Sequence, residues 1–251
     1  METSLQTVRP AAVTSGPGLF LRSLAFNIAF FSLTTVCCAL LILTLPLPRR
    51  CVIWGIETYE RMLDWLERKI IRLDYTVSGL EHIPQGPFLL AAKHQSAWET
   101  MKLHLLLRDP AVVLKRELML IPLWGWLAAR AGMISVHRNK RGRTIPSLIR
   151  GAKKVAAEGR PIVIFPQGTR VAPGDHRPYK IGIGILYQEL GLPVVPMALN
   201  SGLFWPRHSF IKQPGTVTVQ FLPPMPPGLT AEELVKKLQD TLETASDRLL
   251  S

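Results

Sequence analysis

Cysteine is scarce in this chain: three among 251 residues, Cys37, Cys38 and Cys51, and none beyond position 51. Two of them sit inside an apolar run, so neither a disulfide framework nor a cysteine zinc site is readable. A domain in a reducing, cytoplasmic compartment is compatible with that usage. Charge is scarce too, at 19% against 47% hydrophobic residues, with a positive mean hydropathy of +0.19. That balance leans toward a membrane. Acids are the poorer half of the charged set, 18 against 30 bases, which leaves a net charge of +12. Such a surplus suits a polyanionic partner: lipid headgroups, phosphorylated substrates or nucleic acid. There is no internal repeat, no low-complexity segment and no His-Glu-x-x-His or similar metal-ligand spacing. His82, His104, His137, His176 and His208 have no carboxylate at telling spacing.

What is present begins with a tail over residues 1–17, polar and rich in Ser, Thr, Pro and Gly. Residues 24–45 then carry no charge at all, about the 20 residues that cross a bilayer core. The run is longer than a signal-peptide core and ends in Leu45-Pro46-Leu47-Pro48-Arg49-Arg50, not in a small-residue cleavage site, so it reads as an anchor. Pro46 and Pro48 leave open whether it spans or turns back. Arg49 and Arg50 favour a cytoplasmic flank, while Arg9 and Arg22 blunt that bias. Residues 52–72 alternate apolar and charged positions at helical spacing, an amphipathic helix for an interface or for packing.

From residue 73 the pattern changes to short strands between helices. Strands are expected at 75–79, 88–92, 111–115, 133–137, 161–165, 194–199 and 217–221. Helices are expected from 97 through 106, at 124–131, 145–158, 183–190 and 231–249, the last capped by Thr230 with Glu233. This alternation predicts an α/β fold with a largely parallel sheet flanked by helices, preceded by the N-terminal membrane-anchoring helical segment.

The octapeptide Lys93-His94-Gln95-Ser96-Ala97-Trp98-Glu99-Thr100 follows the second strand. Ser96 with Glu99 reads as a capping box, leaving His94 just outside the helix start. Glu99 can then reach back to one imidazole nitrogen while the other takes a proton from a hydroxyl, a base with its orienter. Equally, Glu99 can be a backbone cap and His94 an ordinary loop residue. Gln167-Gly168-Thr169-Arg170 also follows a strand, and its amides, hydroxyl and guanidinium suit a phosphate. Lys115-Arg116-Glu117 adds cations after a third strand, unless it is only a solvated loop. Ligand crevices of open parallel sheets lie beyond the carboxyl ends of the strands, so these motifs are expected to share one site. The basic run at 138–143 has no nucleic-acid-reading pattern beside it and is read as facing acidic lipid, an acidic carrier protein or solvent.

Five ordered blocks carry a family resemblance: His94-x4-Glu99; Lys115-Arg116-Glu117-Leu118 with Pro122 and Gly125; Gly132-Met133-Ile134-Ser135-Val136-His137-Arg138; Phe165-Pro166-Gln167-Gly168-Thr169-Arg170; and Val195-Pro196-Met197-Ala198. Over residues 75–205 the chain resembles the glycerolipid acyltransferases, most of all the bacterial 1-acylglycerol-3-phosphate acyltransferases. The resemblance implies a tail, anchor and amphipathic helix over 1–72 and an acyltransferase domain over 73–251. It implies that His94 is a general base oriented by Glu99, and that Lys115, Gln167, Gly168, Thr169 and Arg170 hold the acceptor. It further implies transfer from an acyl carrier protein or coenzyme A thioester to lysophosphatidic acid, with no metal or bound cofactor. The implied partners are the lysophospholipid, the acyl donor and membrane lipids, not nucleic acid, with the enzyme on the inner membrane facing the cytoplasm. Glu99 stands where relatives usually have Asp, and Gln167 where they usually have Glu. The second change leaves the acceptor in question, and a lyso-ornithine lipid is the alternative of the same chemistry. A non-catalytic basic membrane-surface protein is the alternative of a different class.

Overall fold

The computed structural model describes residues 16–136 and 144–250, so the basic run and the first 15 residues lie outside what is described. Among the described residues, seven strands form one sheet in the order β1-β7-β6-β2-β5-β3-β4. They are β1 (Leu73–Ser78), β2 (Leu89–Ala92), β3 (Ala111–Lys115), β4 (Ile134–Val136), β5 (Ile162–Ile164), β6 (Val194–Leu199) and β7 (Gly215–Phe221). Each expected strand is found within about two residues of its place. Five central and edge strands run parallel; β7 pairs antiparallel with β6 and carries β1 with it. β2 is buried at all four positions, as a strand covered on both faces must be.

One face is covered by α5 (Thr144–Ala157), α6 (Gly182–Leu190) and α8 (Ala231–Arg248), whose Leu148, Ile183, Leu234 and Leu238 meet Leu89, Ile162 and Val194. The other face is covered from the N-terminus. Phe26 and Phe30 of α1 (Pro17–Leu41), Leu63 of α2 (Arg49–Leu66) and Ile71 join Leu90, Val163, Val195 and Val217 in a second core. Pro17 opens α1, where its missing N–H costs nothing. The helix starts seven residues before the uncharged run, and from Ser23 onward it is tied to the body of the protein. Ser23 Oγ accepts the Lys212 N–H at 3.0 Å, and Asn27 donates to the Phe210 carbonyl at 3.1 Å.

Of α1 only Ser23, Phe26 and Phe30 are buried, while Phe20, Leu21, Ile28, Phe31, Val36 and Leu40 stand exposed. Residues 17–44 are long and apolar enough to cross a bilayer, with mean hydropathy 2.2 over an 18-residue stretch. A helix that leaves so much apolar surface uncovered needs an apolar surrounding, so the chain is membrane-associated. The chain reverses over residues 45–48, and α2 returns along α1. Tyr59 and Thr34 hydroxyls meet at 2.9 Å, and Leu41 fills the space beside Gly55, where an added Cβ would lie 2.0 Å from its Cδ2.

Two local expectations are corrected. The helix at 52–72 is not uniform: it widens into a π-turn at Glu67–Ile71. That turn directs Glu67 inward to accept from Trp98 Nε1 and Lys102 Nζ, both at 2.9 Å. Burial pushes the Glu67 carboxyl up to about 7, with Lys102 pulling the other way. The helix expected from 97 is a 3₁₀ turn, Trp98–Met101, followed by the single turn α3 (Leu103–Leu106), because Lys102 is drawn into the core toward Asp64 and Glu67. Arg49, beside the apolar run, forks onto Asp109 at 2.7 and 2.6 Å and donates to the carbonyl of Ala131, just past α4 (Trp124–Arg130).

The N-terminal helix is therefore core as well as membrane contact. Phe26→Ala is expected to destabilise the detergent-solubilised protein by about 3–5 kcal/mol, as large-to-small core changes do. Thermal unfolding reads this out, and an unchanged midpoint would mean that α1 is only an appended anchor.

Candidate active site

β2 lies between β6 and β5, so its carboxyl end is flanked by theirs. Lys93, the residue after the strand, is buried on the α8 side, ion-paired with Glu243. Glu243 also accepts the Tyr179 hydroxyl at 2.9 Å; burial first, and Glu243 second, push that phenol above its ordinary range. Adjacent residues of an extended chain point opposite ways, and His94 faces a cavity instead.

The turn after β5 holds His94 from the other side. The His94 N–H donates to Gln167 Oε1 at 3.1 Å, the Val171 N–H donates to the His94 carbonyl at 2.8 Å, and the ring stacks on Phe165 with centroids 4.1 Å apart. Imidazole Nδ1 lies 2.8 Å from Glu99 Oε1. The same oxygen accepts the Gln95 and Ser96 N–H groups, each at 2.8 Å, while Ser201 Oγ donates to Oε2 at 2.7 Å. Ser96 Oγ in turn accepts the Trp98 N–H at 3.1 Å. Both sequence readings of Glu99 hold at once: it caps the turn, and it holds the ring. Its carboxylate is fully buried, which leaves Nε2 as the imidazole nitrogen without a partner among the described residues.

The cavity, about 720 Å³, runs from His94 beneath α1 and α2. Its inner wall is apolar, with Leu41, Ile56, Val112 and Leu114 among the lining residues. Lys115, Gly168, Thr169 and Arg170 also line it, so the fold brings these predicted residues to one space with His94. Lys115 is half exposed, 3.6 Å from Glu117. Gly168 adopts φ +69° and has Lys180 across it; an added Cβ would lie 2.7 Å from the Lys180 Cε. Arg170 has no ion-pair or hydrogen-bond partner for its guanidinium among the described residues, whereas its carbonyl accepts from Arg207 at 3.0 Å.

A family model described as Acyltransferase matches residues 74–200. The chain belongs to the acyltransferase family. Among curated relatives, it is 35% identical over 170 residues to the 1-acyl-sn-glycerol-3-phosphate acyltransferase of Pseudomonas aeruginosa, covering 68% of this chain and 66% of that one. It is 28% identical over 187 residues to the Saccharomyces cerevisiae protein of the same name, covering 72% and 60%. The chain thus spans about two thirds or less of the length of these two relatives. In fold it is similar to the 1-acyl-sn-glycerophosphate acyltransferase of Thermotoga maritima, with TM-score 0.76, 22% identity, and coverage of 92% and 97%.

Within this acyltransferase, Gln167 is set apart from the other residues expected to hold an acceptor. It is 3% exposed and does not line the cavity; its amide oxygen serves the His94 backbone. Sequence reasoning missed Ser201, Lys180 and Arg207. Ser201 lies two residues past the end of β6, so the rule that placed the other motifs at strand ends could have found it. Lys180 and Arg207 come from loops with no periodic signal. Two histidines described above as unpaired gain carboxylates through the fold: His104 meets Glu60 at 3.0 Å and His176 meets Asp247 at 3.0 Å. His176, Glu243 and Asp247 bring possible ligand atoms within 4.8 Å of one another, but Glu243 is already held by Lys93 and Tyr179.

Proposed function

We propose that this acyltransferase moves a fatty acyl chain from a thioester to the free hydroxyl of lysophosphatidic acid, giving phosphatidic acid. The observation that carries the reading is His94, held through Nδ1 by Glu99 at 2.8 Å beside a cavity with an apolar interior and Arg170 in its wall. His94 Nε2 takes the hydroxyl proton as that oxygen attacks the thioester carbonyl. The tetrahedral intermediate collapses by breaking the C–S bond, and the imidazolium returns the proton to the leaving thiolate. Glu99 keeps Nδ1 protonated and stabilises the imidazolium. Arg170, with Lys115 and Thr169, grips the acceptor phosphate and sets its distance from His94, so that attack becomes effectively intramolecular. The apolar wall takes the acyl chain. The donor is the thioester of coenzyme A or acyl carrier protein, and the reaction draws on no bound metal or cofactor.

The site lies beside α1 and α2, so a lysolipid enters from the membrane without leaving it. Because α1 is tied to the body of the protein at Ser23, Phe26 and Asn27, the helix pair dips into the leaflet that faces the catalytic domain. We place that leaflet on the cytoplasmic side of the inner membrane, where acyl thioesters are made. Gln167 no longer argues for a lyso-ornithine acceptor, since its side chain serves the His94 backbone and not the cavity. A basic surface-binding protein has no use for a positioned base.

The test is acyl transfer by the purified full chain across lysophosphatidic acid, lysophosphatidylcholine and lyso-ornithine lipid, with both donors. Lysophosphatidic acid is expected to be the preferred acceptor. Transfer to the ornithine lipid alone would overturn the assignment.

A further inference from the structure

The family model stops at Asn200, and the next seven residues touch the loop behind His94, the 168–170 turn and α1. Ser201 donates to Glu99 Oε2 at 2.7 Å, and the Gly202 N–H donates to Gln95 Oε1 at 3.0 Å. An added Cβ at Gly202 would lie 2.7 Å from Pro173 and 3.0 Å from Gln95, so the backbone passes tightly between those two loops. α7 (Ser201–Phe204) carries the chain to Trp205, which is buried and packs edge-on against Phe26 and Phe30 of α1, centroids 5.3 and 5.7 Å away. Two residues on, Arg207 Nη1 donates to Thr169 Oγ1 at 3.3 Å and to the Arg170 carbonyl at 3.0 Å. One short segment thus binds the carboxylate behind the base, the turn that carries Arg170, and the membrane helix.

We propose that segment 201–207 is a positioning strap, in which Ser201 sets Glu99 and Arg207 sets the 168–170 turn, so that base and phosphate anchor keep a fixed separation. The chemistry differs at its two ends. Ser201 is fully buried, and its donor is the only one on Oε2 among the described residues; without it Glu99 keeps three donors on Oε1 and is free to tilt. A buried hydrogen bond to a charged group is the strong kind. Arg207 is exposed and binds backbone and hydroxyl oxygens, so it limits where the Arg170 guanidinium points without touching the base. The inference rests on the acyltransferase reading above, and its two ends predict opposite kinetic signatures.

The experiment uses the full chain in detergent micelles, with whichever acceptor the wild type turns over best. Ser201→Ala is expected to lower kcat about tenfold, the effect of losing one charge-assisted hydrogen bond, with acceptor KM kept within about twofold. It is also expected to move the low-field proton NMR signal of His94 Nδ1–H, assigned by its loss in His94→Ala. Arg207→Met is expected to raise acceptor KM about tenfold while kcat and that signal stay put. Arg207 is exposed, so this variant folds even if loss of the Ser201 hydroxyl proves costly. Wild-type kcat and an unmoved signal in Ser201→Ala would overturn the proposal. So would both variants losing kcat in proportion to a lowered unfolding temperature, the mark of a merely structural role. The NMR signal needs no substrate; if it moves in Ser201→Ala while no phosphate acceptor is used, the acceptor assignment falls and the strap's first end stands.

Discussion

Replacing His94 with alanine is expected to lower acyl transfer by about 10²–10⁴-fold, the worth of a positioned general base, while the protein stays folded and membrane-bound. Folding is spared because the bonds that hold residue 94 in place use its backbone: its N–H on Gln167 Oε1 and its carbonyl under the Val171 N–H. The side chain contributes a stacking contact with Phe165 and the bond to Glu99, both at the cavity wall. Initial rates with lysophosphatidic acid, alongside unfolding temperature and membrane sedimentation, separate chemistry from stability. Activity within a few-fold of wild type would end the mechanism. Glu99→Gln is expected to cost less. An amide oxygen can take the place of Oε1 beneath the three N–H donors, and the amide nitrogen can donate to Ser201 Oγ. The tautomer survives, but the charge that steadies the imidazolium is lost. A Glu99→Gln enzyme as fast as wild type would reduce Glu99 to a cap.

Arg170→Lys is expected to lower kcat/KM for lysophosphatidic acid about thirty- to a hundredfold, equivalent to about 2–3 kcal/mol, although charge is kept. The reason is geometric: a guanidinium presents a planar fork to a phosphate, and an ammonium presents a point. Arg170 is partly buried beside the cavity with its guanidinium unpaired among the described residues, so its donors are available to a ligand. Lys115 and Lys180 share the same lining and soften the loss without replacing the fork. Steady-state kinetics on lysophosphatidic acid and on lyso-ornithine lipid, for wild type and variant, decide the matter. An equal loss on both acceptors, or none on the phosphate one, would detach Arg170 from phosphate recognition.

Much of this protein is local in origin. β3 and β6 have the same bounds in sequence and structure, since runs such as Val194-Val195-Pro196-Met197-Ala198-Leu199 need burial on two faces and little else. His94, Glu99, Thr169 and Arg170 were legible because catalytic loops of parallel sheets follow strand ends, and strand ends are written in composition. The capping pattern of Ser96 and Glu99 was legible too, but not its consequence. That Lys102 turns inward and cuts the helix short depends on Glu67 and Asp64, some 35 residues earlier, and no local propensity contains that pairing.

By itself, then, the chain's order of residues determined the α/β alternation, the apolar N-terminal helix and the two motifs that meet in the cavity, because periodicity and turn chemistry act over a few residues. Only the tertiary structure decided that α1 is half core through Phe26 and Phe30, that Gln167 supports the His94 backbone, that His104 pairs with Glu60, and that Ser201 and Arg207 brace the site. Each of these joins residues more than twenty positions apart, and such contacts exist only once the sheet has set its strand order and closed both faces.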